Sequence, residues 1–484
     1  MSEVKTDKLS PRTDSGTTTL GDSGDTFLVN TGAKIDINGT ELILDADADT
    51  SITADTDDQI DIRIAGADDF QFTANTFTAL SGSTISIASG AVLSLDDGAV
   101  ATPALTNTGD LNTGIYFPAA DTVGVTAGGT EQFRFGSNPI PGGFKNLVHN
   151  GEFKVAQRGT VTSPASGAYL TDRWKNWQTT GGAVTITQDT SGVFAEWGTN
   201  HAMKIDVTTA ESSVASGDRF AVTHPFEAQD LQHLKYGRAD AEAITLSFCF
   251  RSPKSGTHYA ALYQADGGGR YCWRAFTVAS ANTAEYFSLT FVGDTGGTID
   301  NNTAVGMNLY FPLMAGSNFV AGSENTWATD EKYAGATLQN LLDSTSNDIY
   351  IGRVQLEIGS VATDFEFEDY GTTLLKCQRY FWRQVGNDQE ALPNLAQTSA
   401  TSGWGYVQFP VTMRAEPTLS YSNLTHFGTQ PNNAQQSPSV IALGYGSASI
   451  TWINAQFSSS GSSQDSIRFY TINASATLDY SAEL

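Results

Sequence analysis

"HYAALYQADGGGRYCWRAFTV", residues 258–278, decides the fold class. Two runs rich in Tyr, Trp, Phe and Val flank "DGGG", where glycine supplies the positive backbone angles of a tight reversal. The stretch reads as a β-hairpin turning at Asp266–Gly269. Side chains on a strand alternate between its faces. Tyr259 and Tyr263 therefore share a face, as do Tyr271 and Trp273, while Cys272, Arg274 and Phe276 take the other. One set faces a core. To either side, "AITLSFCFRS" (243–252), "EYFSLTF" (285–291), "GMNLYFPL" (306–313) and "DIYIGRVQLEIG" (348–359) read as further strands. Their spacing suits a two-sheet sandwich of the jelly-roll kind over residues 144–368.

The rest of the chain keeps this character. Gly, Ser, Thr and Asp are abundant, long amphipathic patterns are nearly absent, and short strand-like runs recur between turn residues, which predicts an all-β protein. The formal charge is -26, with 26 basic against 52 acidic residues. That excess argues against nucleic acid and against an anionic membrane surface as partners. "MSEVKTDKLSPRTDSG" has no apolar stretch, so no signal segment is expected, and no run of 18 apolar residues spans a bilayer. Cys249, Cys272 and Cys377 show neither a disulfide framework nor CxxC metal spacing, and are expected as buried reduced thiols.

Residues 26–143 contain no Trp and no Cys. Their strands are very short: Ile60, Ile62 and Ile64 in "QIDIRI", Phe70 and Phe72 in "DFQF", Ile85 and Ile87 in "STISI", Leu93 and Leu95 in "VLSL". One such chain has little to bury. Sharing the core among three identical chains, as a trimeric β shaft, is the economical solution. "NPIPGG" (138–143) reads as a linker. Residues 385–484 read as a C-terminal β-sandwich, with strands in "GWGYVQFPV", "TLSYSN", "SVIALGYG", "ASITWINAQF", "SIRFYTINA" and "ATLDYSAEL".

Between the sandwiches lies a connector, 369–384, predicted as a helix of about fourteen residues. Tyr370, Leu374, Cys377 and Phe381 fall at spacings of four, three and four, an a/d seam. Three copies on an axis would bury it. The alternative is one helix packed on its own sandwich. Glu366, Glu368 and Asp369 suit the helix N-terminus, and Lys376, Arg379 and Arg383 face outward or pair with them.

Catalytic constellations are missing: GxSxG, HExxH and a phosphate loop are absent, and Cys377 has no His near it in sequence. No enzyme activity and no cofactor are expected. "DADADTS" (45–51) places Asp45, Asp47 and Asp49 in alternation but lacks the Gly and Glu of an EF-hand loop, so these are weak candidates for a divalent cation such as calcium. Glycan recognition needs aromatic faces against sugar C–H groups and polar groups for the hydroxyls. The candidates are Tyr259, Tyr263, Tyr271 and Trp273 in the hairpin, and Trp404, Tyr406 and Trp452, with Tyr421 and Tyr445, in the last unit. The polar loop "FGTQPNNAQQSPS" (427–439) suits receptor contact.

Several stretches resemble the tail fibres and receptor-binding proteins of tailed bacteriophages, marine ones especially. "SGTTTLGDSGDTF" (15–27), "ADTSITADTDDQIDIRIAGADDFQFTANTF" (48–77) and "GDLNTGIYFPAADTVGV" (109–125) resemble their fibre shafts. "NLVHNGEFKVAQRGT" (146–160) with "YLTDRW" (169–174) resembles the opening of their jelly-roll domain. "NLLDSTSNDIYIGRVQLEIGSVATDFE" (340–366) and "YGTTLLKCQRYF" (370–381) resemble its close and the connector, and the unit ending in "SAEL" resembles their tips. The resemblance implies a homotrimeric virion fibre, made in the host bacterial cytoplasm. It would attach to tail or other virion proteins through residues 1–25. Its C-terminal domains would bind a host surface glycan or outer-membrane receptor. It leaves open a head-decorating fibre or structural adaptor, with a glycan depolymerase tailspike less favoured.

Overall fold

The structure, a computed structural model, describes residues 41–135, 145–430, 435–457 and 466–484, together with 26, 29, 31, 32, 34, 35 and 37. Residues 1–25 and "NPIPGG" (138–143), read above as an attachment segment and a linker, lie outside the described residues. Regular structure is almost entirely β, and among the described residues Tyr370–Gln378 is the sole α-helix. No helix there is long and apolar enough to cross a membrane. The chain divides into two units, Met1–Ile140 and Pro141–Leu484.

In the first unit, Leu42–Ile43, Ser51–Thr53, Ile60–Ile64, Ala67–Thr73 and Thr76–Ala79 form an antiparallel meander. Leu105–Asn107, Asp110–Ala119, Thr122–Ala127 and Thr130–Phe135 form a second. The Ile and Phe alternation thus makes strands as predicted over 60–73. "STISI" and "VLSL" do not: residues 83–97 lie outside any strand. A strand needs a hydrogen-bonded neighbour, and this chain supplies none there. Apart from Pro103, Tyr116 is the only apolar side chain buried among the described residues of this unit. Ile60, Ile64, Phe72, Phe77, Ile85 and Leu93 stay exposed.

The second unit opens with a two-sheet sandwich. One sheet runs Val161–Thr162, Ala183–Asp189, Ala202–Thr209, Asp348–Ile358, Ile244–Arg251, Ala284–Phe291 in spatial order. The other runs Lys175–Thr179, Arg219–Glu227, Val305–Ala315, Gly256–Gln264, Arg270–Val278. All neighbours are antiparallel. The hairpin turns where expected: Gln264 pairs with Arg270, and Gly267, Gly268 and Gly269 all carry positive φ. Its Leu262, Cys272 and Phe276 enter the core between the sheets, where the Phe248 ring lies 5.0 Å from both Phe276 and Phe311. Each ring so buried stabilises the sandwich by roughly 1.5–3 kcal/mol.

A second sandwich follows. Its smaller sheet runs Phe381–Val385, Thr477–Ser481, Thr418–Tyr421; its larger runs Phe427–Gln430, Ser466–Thr471, Leu395–Ser399, Ser402–Gln408, Ile450–Gln456, Val440–Gly446. The predicted loop at 427–439 is shorter than its sequence suggests, because 427–430 form a largely buried strand. Residues 431–434 lie outside the described residues.

The connector departs from its predicted form. Asp369 caps the helix, its carboxylate accepting the Thr372 N–H at 2.9 Å. The Tyr380 N–H donates to the Cys377 carbonyl at 2.9 Å and tightens the last turn. The chain then extends into Phe381–Val385, because Thr477–Ser481 offers it a ladder. Phe381 therefore lies on a strand, and the predicted seam breaks. Cys377 and Phe381 are buried inside their own chain, Leu374 is half-buried, and Tyr370 is exposed. Cys377 does not face an axis. Lys376 pairs with Glu368 as expected, but Arg379 pairs with Glu227 and Arg383 with Asp479.

Candidate functional site

The strands Ser402–Gln408 and Ile450–Gln456 carry the site. In the first, Gly403, Gly405 and Val407 point into the core; in the second, Thr451, Ile453 and Ala455 do. The period of two sends Trp404, Tyr406 and Gln408 outward, together with Trp452 and Gln456, while Asn454 on the same face is buried beneath its neighbours. Register sets them side by side: Tyr406 is opposite Trp452, and Trp404 opposite Asn454. The Tyr406 and Trp452 ring centroids are 3.8 Å apart, and those of Trp404 and Trp452 6.3 Å.

The adjoining strand makes room for this. A Cβ on Gly444 would sit 1.7 Å from the Trp404 ring, so only glycine leaves space for the indole there. Asn454 Nδ2 donates to the Gly403 carbonyl at 3.3 Å and braces the two strands. Tyr406 is 57% exposed. Trp404 and Trp452 are half-buried, each against its neighbours. Ser402, Gln408, Gln456 and the apolar Val440 and Ile450 complete the outward face. None of these residues is ionisable except Tyr406, in a chain of formal charge -26. The arrangement can stack a ring of C–H groups on Tyr406 and Trp452 and offer amides to its hydroxyls. Tyr421 instead packs against the core of this sandwich, and the Tyr445 side chain lies outside the described residues.

The hairpin candidates fare differently. Their face points away from the main core, but residues 316–338 cover it. Tyr259 and Trp273 are buried in a cluster with Phe319 and Tyr333. The Tyr259 hydroxyl lies 2.6 Å from that of Thr337, and a Cβ on Gly335 would strike it. The covering segment is pinned by paired hydrogen bonds between Tyr271 and Ala328. Tyr259 and Trp273 are therefore packing residues and not sugar platforms. Tyr263 and Tyr271 stack on each other at 4.4 Å and are half-buried. Burial pushes the Tyr271 hydroxyl well above its ordinary range.

Asp45, Asp47 and Asp49 are brought together, with carboxylate oxygens within 4.8 Å of one another. Hydrogen bonds from Thr50 hold the Asp45 carboxyl below its ordinary value. The three thiols are buried and unpaired, and burial pushes Cys249 and Cys272 up to about 12 and Cys377 well above its usual range.

Sequence reasoning missed the joint between the sandwiches. Arg173, fully buried, places its guanidinium 3.4 Å over the Tyr380 ring and 2.8 Å from Glu483. Arg158 lies 3.5 Å over Phe381 and 2.9 Å from the same carboxylate. Tyr169 and Lys175 reach the Leu484 carbonyl. The partners are some 310 residues apart, and no local pattern links them.

No family model matches the chain, and no curated protein matches it. Among solved structures, the enzymatically active domain of tailspike protein 4 of bacteriophage CBA120 is 12% identical, at a TM-score of 0.26, over 44% of this chain and 21% of that one. A CBM4 structure is 13% identical at 0.25, over 44% and 99% of the two chains. The family 11 carbohydrate-binding module of the Clostridium thermocellum cellulase Lic26A-Cel5E is 12% identical at 0.21, over 41% and 98%. Scores of this size carry no function across.

Proposed function

We propose that the chain is a homotrimeric bacteriophage virion fibre whose C-terminal sandwich binds a glycan of the host surface. The outward-facing group of Tyr406, Trp452 and Trp404 carries this reading. Exposed aromatic rings on a two-sheet scaffold are costly to leave in water, and this set is uncharged where the rest of the chain is strongly acidic. That suits a neutral sugar, since the acidic surroundings repel an anionic one. Sites that are weak singly gain from threefold repetition through effective concentration. The virion role rests on the resemblance of the stretches 15–27, 48–77, 109–125, 146–160, 169–174, 340–366 and 370–381 to phage fibres.

The test is binding of the full chain to host envelope polysaccharide, compared with Tyr406→Ala and Trp452→Ala. Each variant is expected to bind about tenfold more weakly or worse, Tyr406→Ala with an unchanged melting temperature and Trp452→Ala, whose ring is half-buried, with a lowered one but a folded chain. Undiminished binding by the double variant would move the receptor site elsewhere. Release of soluble oligosaccharide on long incubation would instead favour a depolymerase.

A further inference from the structure

Between the first sandwich and the helix Tyr370–Gln378 lies a cavity of about 310 Å³, lined in part by His149, Arg173, His224, Glu227, Lys376 and Tyr380. Its size is near the lower end of small-ligand sites, roughly 300–1,000 Å³. That is far more than one or two waters occupy.

Its charges are already matched. Arg173 holds Glu483, Glu227 takes a two-pronged contact from Arg379 at 2.8 and 2.9 Å, and Lys376 pairs with Glu368. Asp230 adds a carboxylate to the lining. No surplus of positive charge is left for an anion.

Three buried polar atoms of the lining remain without partners, His149 Nδ1, His224 Nδ1 and Arg173 Nε. His224 and Arg173 are each 1% exposed, while His149 is half-buried. His224 Nε2 lies 3.1 Å from the His149 carbonyl oxygen. A carbonyl only accepts, so the proton sits on Nε2. Burial, with the Arg173 charge beside it, holds the imidazole well below its ordinary value, so the ring is neutral and Nδ1 is a bare acceptor. Arg173 Nε always bears a proton and is a bare donor. Buried groups of this kind are rarely left unmatched. Phe226, Leu231 and the Tyr380 ring supply apolar surface beside them.

We propose that this cavity binds one small uncharged polyhydroxylated molecule, a single sugar ring or polyol, apart from the aromatic face of the second sandwich. One hydroxyl donates to His224 Nδ1 and another accepts from Arg173 Nε–H, while the C–H edge rests on the apolar wall.

The test is calorimetric titration of the full chain with glucose, galactose, mannose and glycerol, and separately with inorganic phosphate. At least one of the four is expected to bind, and phosphate is not. Binding should persist in the Tyr406→Ala/Trp452→Ala chain. It should be lost in His233→Trp, where an exposed lining residue becomes bulky enough to fill the opening. A crystal soaked in the bound compound should show it against His224 and Arg173. The proposal is overturned if none of the four binds at tens of millimolar, if phosphate binds instead, if His233→Trp leaves binding intact, or if the soaked cavity holds only water.

Discussion

Arg173 and His224 set the pH and mutational behaviour of the joint. A buried charge is tolerated only beside its partner, and removing one member leaves the other stranded. Glu483→Ala is therefore expected to cost about 3–5 kcal/mol, read as a lower midpoint of chemical denaturation. Arg173→Met with Glu483→Leu should recover only part of that loss, since Arg158 shares the Glu483 carboxylate and would keep only Asp172, at 3.8 Å. A Glu483→Ala midpoint equal to that of the parent would remove the pair from the stability of the joint. His224 acts through protons. Burial keeps it neutral when folded, with its pKa well below the ordinary 6.5. Unfolding frees it to take a proton below that pH. The folded state then binds fewer protons, so stability is lost as pH falls below about 6.5, by up to about 1.4 kcal/mol per unit for each such group. His149, pushed down to about 3 by burial first and then by the Arg173 charge, adds to the same trend. Asp172, raised by its burial, works in the opposite sense but only nearer the carboxylate range. The melting temperature between about pH 7 and 5.5 should therefore decline on acidification, and His224→Gln should flatten part of the decline. A level profile across that window would contradict the neutral buried ring.

At the scale of elements, the connector shows what a local pattern can and cannot specify. A nine-residue helix is marginal alone. Its cap and its buried face, Thr373 and Cys377, hold it. Asp369→Ala should cost about 1 kcal/mol through the lost cap. Cys377→Ala should cost about as much through the small void it leaves. Both should lower the melting temperature and leave glycan binding unchanged; lost binding in a chain of normal stability would tie the helix to the receptor site. The acidic start of this helix was legible, because capping chemistry is local. Its end was not. The apolar spacing from Tyr370 to Phe381 fits a helix, but the strand Thr477–Ser481 claims Phe381, and that partner is about a hundred residues away. The hairpin at 258–278 was readable to its turn and its two faces for the same local reason. Which face water would reach was not, because the cover comes from residues 316–338. Trp404, Tyr406 and Trp452 could be named as candidates from the sequence alone. Their meeting depends on the register of Ser402–Gln408 against Ile450–Gln456, and the space for the Trp404 ring depends on Gly444.

At the scale of the molecule, the first unit poses the main energetic question. Ile60, Ile64, Phe72, Phe77, Leu105 and Phe133 are exposed on strands, and Ile85, Leu93 and Leu95 are exposed outside any strand, with no ladder partner. Short strands without a shared core are marginal in water. Further copies of the same surface would cover these side chains and supply the missing partners for 83–97. The opposing term is electrostatic, because three copies bring together three formal charges of -26. Repulsion of exposed charges falls off over about 8 Å at physiological ionic strength and over less at higher salt, while apolar burial is not screened. Assembly should therefore strengthen as salt is raised. Light scattering of the full chain is expected to give three times the 51.5 kDa of one chain, with dissociation appearing first on dilution at low salt. Ile60→Asp with Phe72→Asp would place new charge on the apolar surface. That chain should fall to the single-chain mass while the melting transition of the Pro141–Leu484 unit stays where it was. A single-chain mass for the parent at every salt concentration would overturn the trimer, and the exposed Ile and Phe side chains would then need another cover.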